Sequence, residues 1–567
     1  MRTAALLLVF VTAKAIMLAG HHVSVSWWSP LAYFWQDAAA VLVFAALEWL
    51  ARSHSRLAWT TYATAALYAA INIPVARVLS TPLTWPMLHA ARGPLADSIR
   101  YYVTLPNALA FAAAVVVAVM APRCLRRLPR ASILSALTLS VAFGPLAASR
   151  VDTQGMERNA WTALVPLRAP GAAPPSTAGN DWRTGLEQTP QIDLSAFRAA
   201  AGGRNIVLVS LESTGAQYLG LYGAAPDPMP NLSDLARSAI VFDNAYAAYP
   251  ESIKGLFSIL CAQYPAFASD AERYASVPCH SIAAALGAAG YRTAMFHSGR
   301  FVYLGMNAVI RDRGFDTLED AGDIGGNHQS SFGVDEPSTV ARILKWIDRL
   351  PVGQPFFVAY LPIAGHHPYE TPGGGPFPGA DDFGRYRNAL HYGDASLGDL
   401  RAGLRERGLD QKTLWIVLGD HGEAFGQHDG NSGHTFQIYE ENVHVPFLVA
   451  APGLIRDQIR SAQVVSLIDT APTVLDLAGL PIPKEYQGRS MLERGPRMAF
   501  FFADYSLGLL GLRDGPRKFI LESNSGRPQL YDLNRDPHER TNLAPAFQPQ
   551  SRWYEQALRV WIASHTL

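Results

Sequence analysis

Five apolar stretches crowd the first ~150 residues, at roughly 3–20, 31–50, 57–79, 105–122 and 131–148. Several reach the about 20 residues that a bilayer-spanning helix needs. Met1-Arg2 and the run behind it resemble a secretory signal in outline. Four further runs argue instead for a multipass anchor over 1–150. Basic residues orient it. Arg52 and Arg56 follow the second run, and Arg123, Arg126, Arg127 and Arg130 follow the fourth. Those loops are expected on the cytoplasmic side. Five spans from an inside N-terminus then leave everything after ~150 on the periplasmic or extracellular side of the cell (inner) membrane. Lys14 lies inside the first run and is expected to snorkel or to pair within the bundle. The segment between runs three and four, with Arg92, Gly93-Pro94 and Arg100, reads as an external connector or a short interfacial helix.

The chain has 567 residues, too many for one ordinary domain. Lysines plus arginines equal aspartates plus glutamates at 47 each, so net charge selects no polyanionic partner and no nucleic acid is expected. Cys261 and Cys279 lie in the external part, where an oxidising compartment permits a disulfide, the alternative being two buried thiols.

From 151 to 203 the prolines Pro166, Pro170, Pro174 and Pro175 mark a linker. At Asn205-Ile-Val-Leu-Val-Ser210 a buried strand begins, and strands then alternate with helices. Strands are expected at 239–243, 292–296, 355–361, 414–418 and 445–450, and helices at 253–262, 281–289, 336–349, 391–407 and 468–478. Near-continuous apolar strands alternating with helices mean an α/β domain, a mostly parallel sheet between two helical layers. Ligands in such folds collect at the carboxyl ends of the strands.

The polar residues at those ends form a constellation. Glu212 follows the first strand, His297 and Arg300 the 292–296 strand, and His366 the 355–361 strand. Asp420 and His421 follow Leu414-Trp-Ile-Val-Leu418, with His428 and His434 in the loop beyond. Ser252 and Lys254 sit at an expected helix start. Carboxylates and imidazoles suit a divalent metal, and a hydroxyl beside a metal becomes a nucleophile. The expectation is a divalent ion on Glu212, Asp420, His421 and the Ser252 oxygen, with Ser252 attacking phosphorus or sulfur. Lys254, Arg300 and the helix N-terminus would hold the equatorial oxygens, and His366 or His434 would protonate the leaving group. Ser213 and Thr214 compete with Ser252 as nucleophile, and His428, His434 and His297 also read as ordinary loop or core histidines. Spacing does not choose between these readings.

These segments resemble the alkaline phosphatase superfamily, in its sulfatase-like branch, over about 205–542. The resemblance is carried by Asn205-Ile-Val-Leu-Val-Ser-Leu-Glu-Ser-Thr214 with Gly220-Leu-Tyr-Gly223, and by Leu418-Gly-Asp-His-Gly-Glu423 with Gly433-His434. Gly365-His366-His-Pro-Tyr369 resembles the His-x-Pro substrate histidine, and Gln529-Leu-Tyr-Asp-Leu533 with Asp536-Pro537 the sulfatase tail. The resemblance implies an alkaline-phosphatase-like catalytic domain at 204–490, completed by a C-terminal subdomain at 491–567. Sulfatases pair two acids after the first strand, where Ser213 stands second here, and carry formylglycine within Cys-x-Pro-x-Arg, where Ser252-Ile-Lys-Gly-Leu256 stands here. One acid and a plain hydroxyl resemble the lipoteichoic acid synthases and phosphoethanolamine transferases, which also carry five spans.

The leading expectation is therefore an enzyme that transfers or hydrolyses a phosphoglycerol- or phosphoethanolamine-type group through a covalent Ser252 intermediate. Its donor would be a phospholipid and its acceptor an envelope glycan or lipid. The alternatives are a sulfuric ester hydrolase and an inactive binding or sensor module. Mn2+ or Zn2+ is the expected ion, with Mg2+ and Ca2+ also admitted; His366 would contact substrate, with His297 and Arg300 beside it.

Overall fold

The computed structural model describes all residues except 1, 91–101, 126–128, 166–182, 188, 329–331 and 565–567. The interfacial segment around Arg92 to Arg100, the Arg126-Arg127 pair and the proline-rich stretch 166–179 lie outside the described residues.

The apolar runs are helices: α1 (Arg2–Leu18), α2 (Ser29–Leu50), α3 (Ser55–Leu79), α4 (Leu105–Cys124) and α5 (Arg130–Ala148). Among the described residues, α2 to α5 are long and apolar enough to cross a membrane. With 17 residues, α1 is shorter and packs against α2, α3 and α4. Val43, Leu67, Leu109, Val116 and Leu139 point outward from the bundle, as residues facing hydrocarbon would. Lys14 does pair within the bundle, its Nζ lying 3.2 Å from Asp37 Oδ2. It also donates to the Arg158 carbonyl at 2.7 Å, so the described residues just after α5 are packed into the bundle.

The second part is built on an eight-stranded sheet. Its strands are β1 (Asn205–Leu211), β2 (Ala239–Tyr246), β3 (Arg292–His297), β4 (Thr317–Glu319), β5 (Phe356–Leu361), β6 (Thr413–Gly419), β9 (His444–Ala450) and β10 (Ile459–Ser466). The order is β10-β2-β9-β6-β1-β5-β3-β4. Only β9 runs antiparallel to its neighbours, β2 and β6. A short hairpin pairs β7 (Ala424–Phe425) with β8 (Ser432–Gly433).

Alternation along β1 sends Ile206 and Leu208 into one apolar layer, with the helices Ser252–Cys261 and Thr470–Ala478. Val207 and Val209 enter the other, with the helices Glu336–Ile347 and Asp382–Glu406. Both layers are apolar because a parallel sheet covered by helices is wet on neither face. A second, antiparallel sheet, β11 (Met498–Ala503), β12 (Leu509–Asp514), β13 (Arg517–Glu522) and β14 (Arg527–Asp532), packs on the terminal helix Gln548–Ala563 around Phe500, Phe502 and Trp561. Cys261 and Cys279 are disulfide-bonded.

Candidate active site

Register creates the site. β1 and β6 run parallel with Leu211 opposite Gly419, so the next residues, Glu212 and Asp420, leave the sheet side by side. The turn after Glu212 is tight: Ser213 has φ +53°, and its amide donates to Asp420 Oδ1 at 2.9 Å. Asp420 Oδ1 also accepts the His421 amide at 2.7 Å, which leaves Oδ2 for the cluster.

His421 is fully buried. Its Nδ1 donates to the Gly422 carbonyl at 2.9 Å, which turns the Nε2 lone pair toward the acids. Nε2 lies 3.5 Å from Glu212 Oε1 and 3.6 Å from Asp420 Oδ2. Ser252 is the first residue of its helix. Its Oγ donates to Glu212 Oε2 at 2.9 Å and lies 3.2 Å from His421 Nε2. The structure thus brings together all four residues expected at the metal and nucleophile.

Electrostatics follow from burial. Burial by itself would raise the Glu212 carboxyl, but the His421 hydrogen bond and the charges of His421, His366 and His434 outweigh it and hold the group well down. Burial, then the Glu212 charge, push Asp420 up to about 7. Burial opposes charging of His421, yet Asp420 and Glu212 raise it to about 10. Two buried carboxylates face one imidazole whose second nitrogen is oriented by a carbonyl. Such a donor set fits a divalent cation, and the three donor atoms lie within 4.8 Å of one another.

A second layer stands beside it. The His434 ring packs on His421 with centroids 4.1 Å apart, and its Nδ1 bonds Glu423 Oε2 at 2.7 Å. Tyr369 fixes the other Glu423 oxygen at 2.6 Å. His434 therefore belongs to the cluster. His428 does not: it is bonded to Glu441 at 2.7 Å and stacked on Tyr439. His366 lines a cavity of about 40 Å³ with Phe332, Glu336 and Tyr392. Its Nδ1 donates to the His367 carbonyl at 2.6 Å. His297 is buried and bonds the Leu361 carbonyl at 3.0 Å through Nδ1.

Of the groups expected to hold the ester oxygens, Lys254 and the first amides of its helix already have partners. Lys254 Nζ lies 3.2 Å from Asp504 Oδ1 in a buried pair, over the Tyr249 ring. Glu251 caps the helix and accepts from the Ile253 and Lys254 amides, so those amides already have an acceptor. Arg300 is exposed, with its guanidinium against Gly322.

Sequence reasoning assigned no role to Glu423, although it stands in the same motif as Asp420. It also missed Glu336, which reads in sequence as an ordinary acid in a helix's first turn.

Residues 204–480 match the Sulfatase family. Arylsulfatase K of Bos taurus is 35% identical over 185 residues, which are 29% of this chain and 34% of that protein. The chain thus spans about a third of that relative's length. Among solved structures, a protein in the alkaline phosphatase superfamily from Vibrio parahaemolyticus superposes with TM-score 0.53 at 20% identity, over 67% of this chain and 88% of that one. The lipoteichoic acid synthase LtaP from Listeria monocytogenes superposes with TM-score 0.56 at 18% identity, over 65% of this chain and 93% of that one. At such identities the superpositions speak for fold alone.

The sequence relationship overturns the expectation of a phospho-group transferase, because Arylsulfatase K, matched in sequence, is an arylsulfatase. The physical reason lies at Ser213. Its hydroxyl donates to Glu212 Oε1 at 3.0 Å and its amide to Asp420, so it braces the donor set. A serine in place of a second acid there carries no information about phosphorus or sulfur in the ester. Residues 204–480, the part that matches the Sulfatase family, form the sheet-centred domain that carries this site, preceded in the chain by a bundle of apolar helices.

Proposed function

We propose that this chain is a sulfuric ester hydrolase held at a membrane by its apolar helices. The likeness to Arylsulfatase K supports the ester class. The observation that carries the chemistry is the Ser252 hydroxyl, 2.9 Å from a buried carboxylate and 3.2 Å from an imidazole.

A divalent cation held by Glu212, Asp420 and His421 would supply positive charge beside the Ser252 oxygen and favour its ionised form. Carboxylate and imidazole donors suit Mn2+ or Zn2+, and the oxygens alone also suit Mg2+ or Ca2+. Glu212 Oε2 accepts the Ser252 hydroxyl in a hydrogen bond and orients Oγ; the hydroxyl proton passes to solvent as Oγ bonds to sulfur. The ester's sulfur–oxygen bond to the alcohol breaks, and His366 protonates the departing oxygen. Water then gives a proton to His366 and attacks the same sulfur, the Oγ–sulfur bond breaks, sulfate leaves, and Oγ takes a proton back from solvent. His434, fixed by Glu423, faces the cluster as a second imidazole for charge compensation.

The test is release of inorganic sulfate from an aryl sulfate by the full purified chain, with Mn2+ or Zn2+ supplied. Mass analysis of the Ser252 peptide identifies the nucleophile as serine or formylglycine. Sulfate release by the parent and none by Ser252→Ala is expected. Failure of the parent with every divalent ion, or undiminished release by Ser252→Ala, would sink the reading.

A further inference from the structure

We infer that the ester reaches this site on an amphiphile seated in the membrane, with the sulfate at head-group level. This rests on the hydrolase reading above and adds how substrate is presented. The observation behind it is the meeting of the active-site rim with one end of the apolar bundle.

That end is where α1 stops at Leu18, α3 stops at Leu79 and α4 begins at Leu105. Three rim loops sit on it. The His22 amide donates to Asp429 Oδ2 at 2.6 Å, in the loop that carries His434. Thr84 donates to the Tyr505 carbonyl at 2.6 Å, next to the Asp504 that holds Lys254. Tyr102, just before α4, stacks on His367 with centroids 5.8 Å apart and planes 8° from parallel. His367 is the immediate neighbour of His366. Between α3 and the catalytic part, Thr81 and Ser506 meet hydroxyl to hydroxyl at 3.1 Å.

A second observation sets the depth. Trp27 is 100% exposed and Trp85 56% exposed. Both lie in the connections at this same end, beyond Leu18 and beyond Leu79. Exposed tryptophans at the ends of apolar helices sit at the membrane–water boundary. With the bundle sunk to that level, Tyr102 and His367 lie at the head groups, and the site opens within a few residues of the lipid surface.

The consequence is chemical. An ester carried by a lipid is confined to that surface, which raises its effective concentration at the rim without any added contact. A large soluble sulfated polymer must instead work its way between the rim and the bilayer.

The experiment uses the full chain in detergent with 3-O-sulfogalactosyl ceramide in mixed micelles. Total lipid is held constant while neutral detergent is added. A tenfold fall in its surface fraction should cut the rate about tenfold. A rate indifferent to surface fraction, or faster hydrolysis of a soluble sulfated oligosaccharide, overturns the inference and leaves the hydrolase reading standing. A readout independent of turnover is photolabelling in nanodiscs by the same lipid with a diazirine in its head group. Adducts on the peptides holding Tyr102 or His366–Tyr369 support it even if no ester is cut, in which case the hydrolase reading alone fails. Adducts confined to the outward faces of the helices overturn it.

Discussion

The Ser252 hydroxyl donates to Glu212 Oε2 at 2.9 Å, although 40 residues separate the two in sequence. A helix start and a strand end converge on one proton. The hydroxyl and the carboxylate that orients it are in contact before substrate arrives. Ser252→Ala is expected to reduce sulfate release by about 10³-fold or more. Thermal melting should fall only modestly, because Ser252 is half-buried and Glu212 keeps the Ser213 hydroxyl as a donor. Retention of turnover would move the nucleophile to Thr214, whose hydroxyl instead bonds the Glu212 carbonyl at 3.0 Å.

Metal removal should act on stability as well as turnover. Without a cation, Glu212 and Asp420 remain buried as neighbouring acids. An ion present at a hundredfold above its Kd adds about 2.7 kcal/mol to the folded state. Chelator should therefore lower Tm and abolish activity, with both restored by Mn2+ or Zn2+. In Asp420→Asn the metal-dependent Tm shift should shrink, with affinity lower by about tenfold or more. A parent Tm and rate indifferent to chelator would show that the donor set holds no ion.

Lys254 should behave as a structural residue. Its ammonium is buried against Asp504, which also accepts from Tyr249 at 2.5 Å and from the Ala268 amide at 2.6 Å. Removing one partner of a buried pair leaves the other uncompensated, at a cost of about 3 kcal/mol or more. Lys254→Met is expected to lose that much in urea unfolding, and Lys254→Met with Asp504→Asn to lose less than the sum of the single changes. A variant with parental stability and no turnover would instead place the ammonium on the ester.

His297 gives a pH signature. Burial disfavours its charged form and outweighs the Leu361 carbonyl bond and the nearby Glu212 charge, so its pKa lies below the ordinary value. The unfolded chain then takes up a proton that the folded one refuses. Stability is full above the ordinary histidine value of about 6.5 and falls as pH drops below it, by up to about 1.4 kcal/mol per unit. His297→Gln should flatten that part of the curve, measured by urea unfolding between about pH 5 and pH 7. An unchanged slope would mean that the acid sensitivity comes from other groups.

Much of this arrangement is legible in sequence, because apolar patterning reports burial directly. The five runs, the central strands and the strand-end residues Glu212, Asp420 and His421 all follow from it. Edge strands are less legible. β4 has three residues, and β10 carries Arg460 and Gln463 among its apolar positions, so neither reads as a continuous run. The helix Asp382–Glu406 begins nine residues before the expected 391, since Gly384, Arg385 and Arg387 mask its periodicity. Side-chain partners across hundreds of residues are not legible at all. Nothing near Lys254 announces Asp504, and nothing near Ser213 announces that its amide binds Asp420.

Glu336 is the clearest case of such a hidden partner and yields the last prediction. Its carboxylate accepts from Ser298 and Tyr360 hydroxyls, both at 2.5 Å, and from the Ile363 and Ala364 amides at 2.7 and 3.0 Å. Ser298 follows His297, and Ala364 lies two residues before His366. One buried side chain therefore fixes the chain beside both His297 and His366. In Glu336→Gln the amide oxygen can keep the two backbone donors while the hydroxyls turn to accept from its NH2, at a cost of about 1 kcal/mol. Glu336→Ala orphans both amides and should cost about 3 kcal/mol. Because small misplacements of catalytic groups are expensive, kcat/KM should fall by about tenfold or more in Glu336→Ala and be largely rescued in Glu336→Gln. Loss of stability with unaltered kcat/KM in the surviving folded protein would separate Glu336 from the histidines it holds.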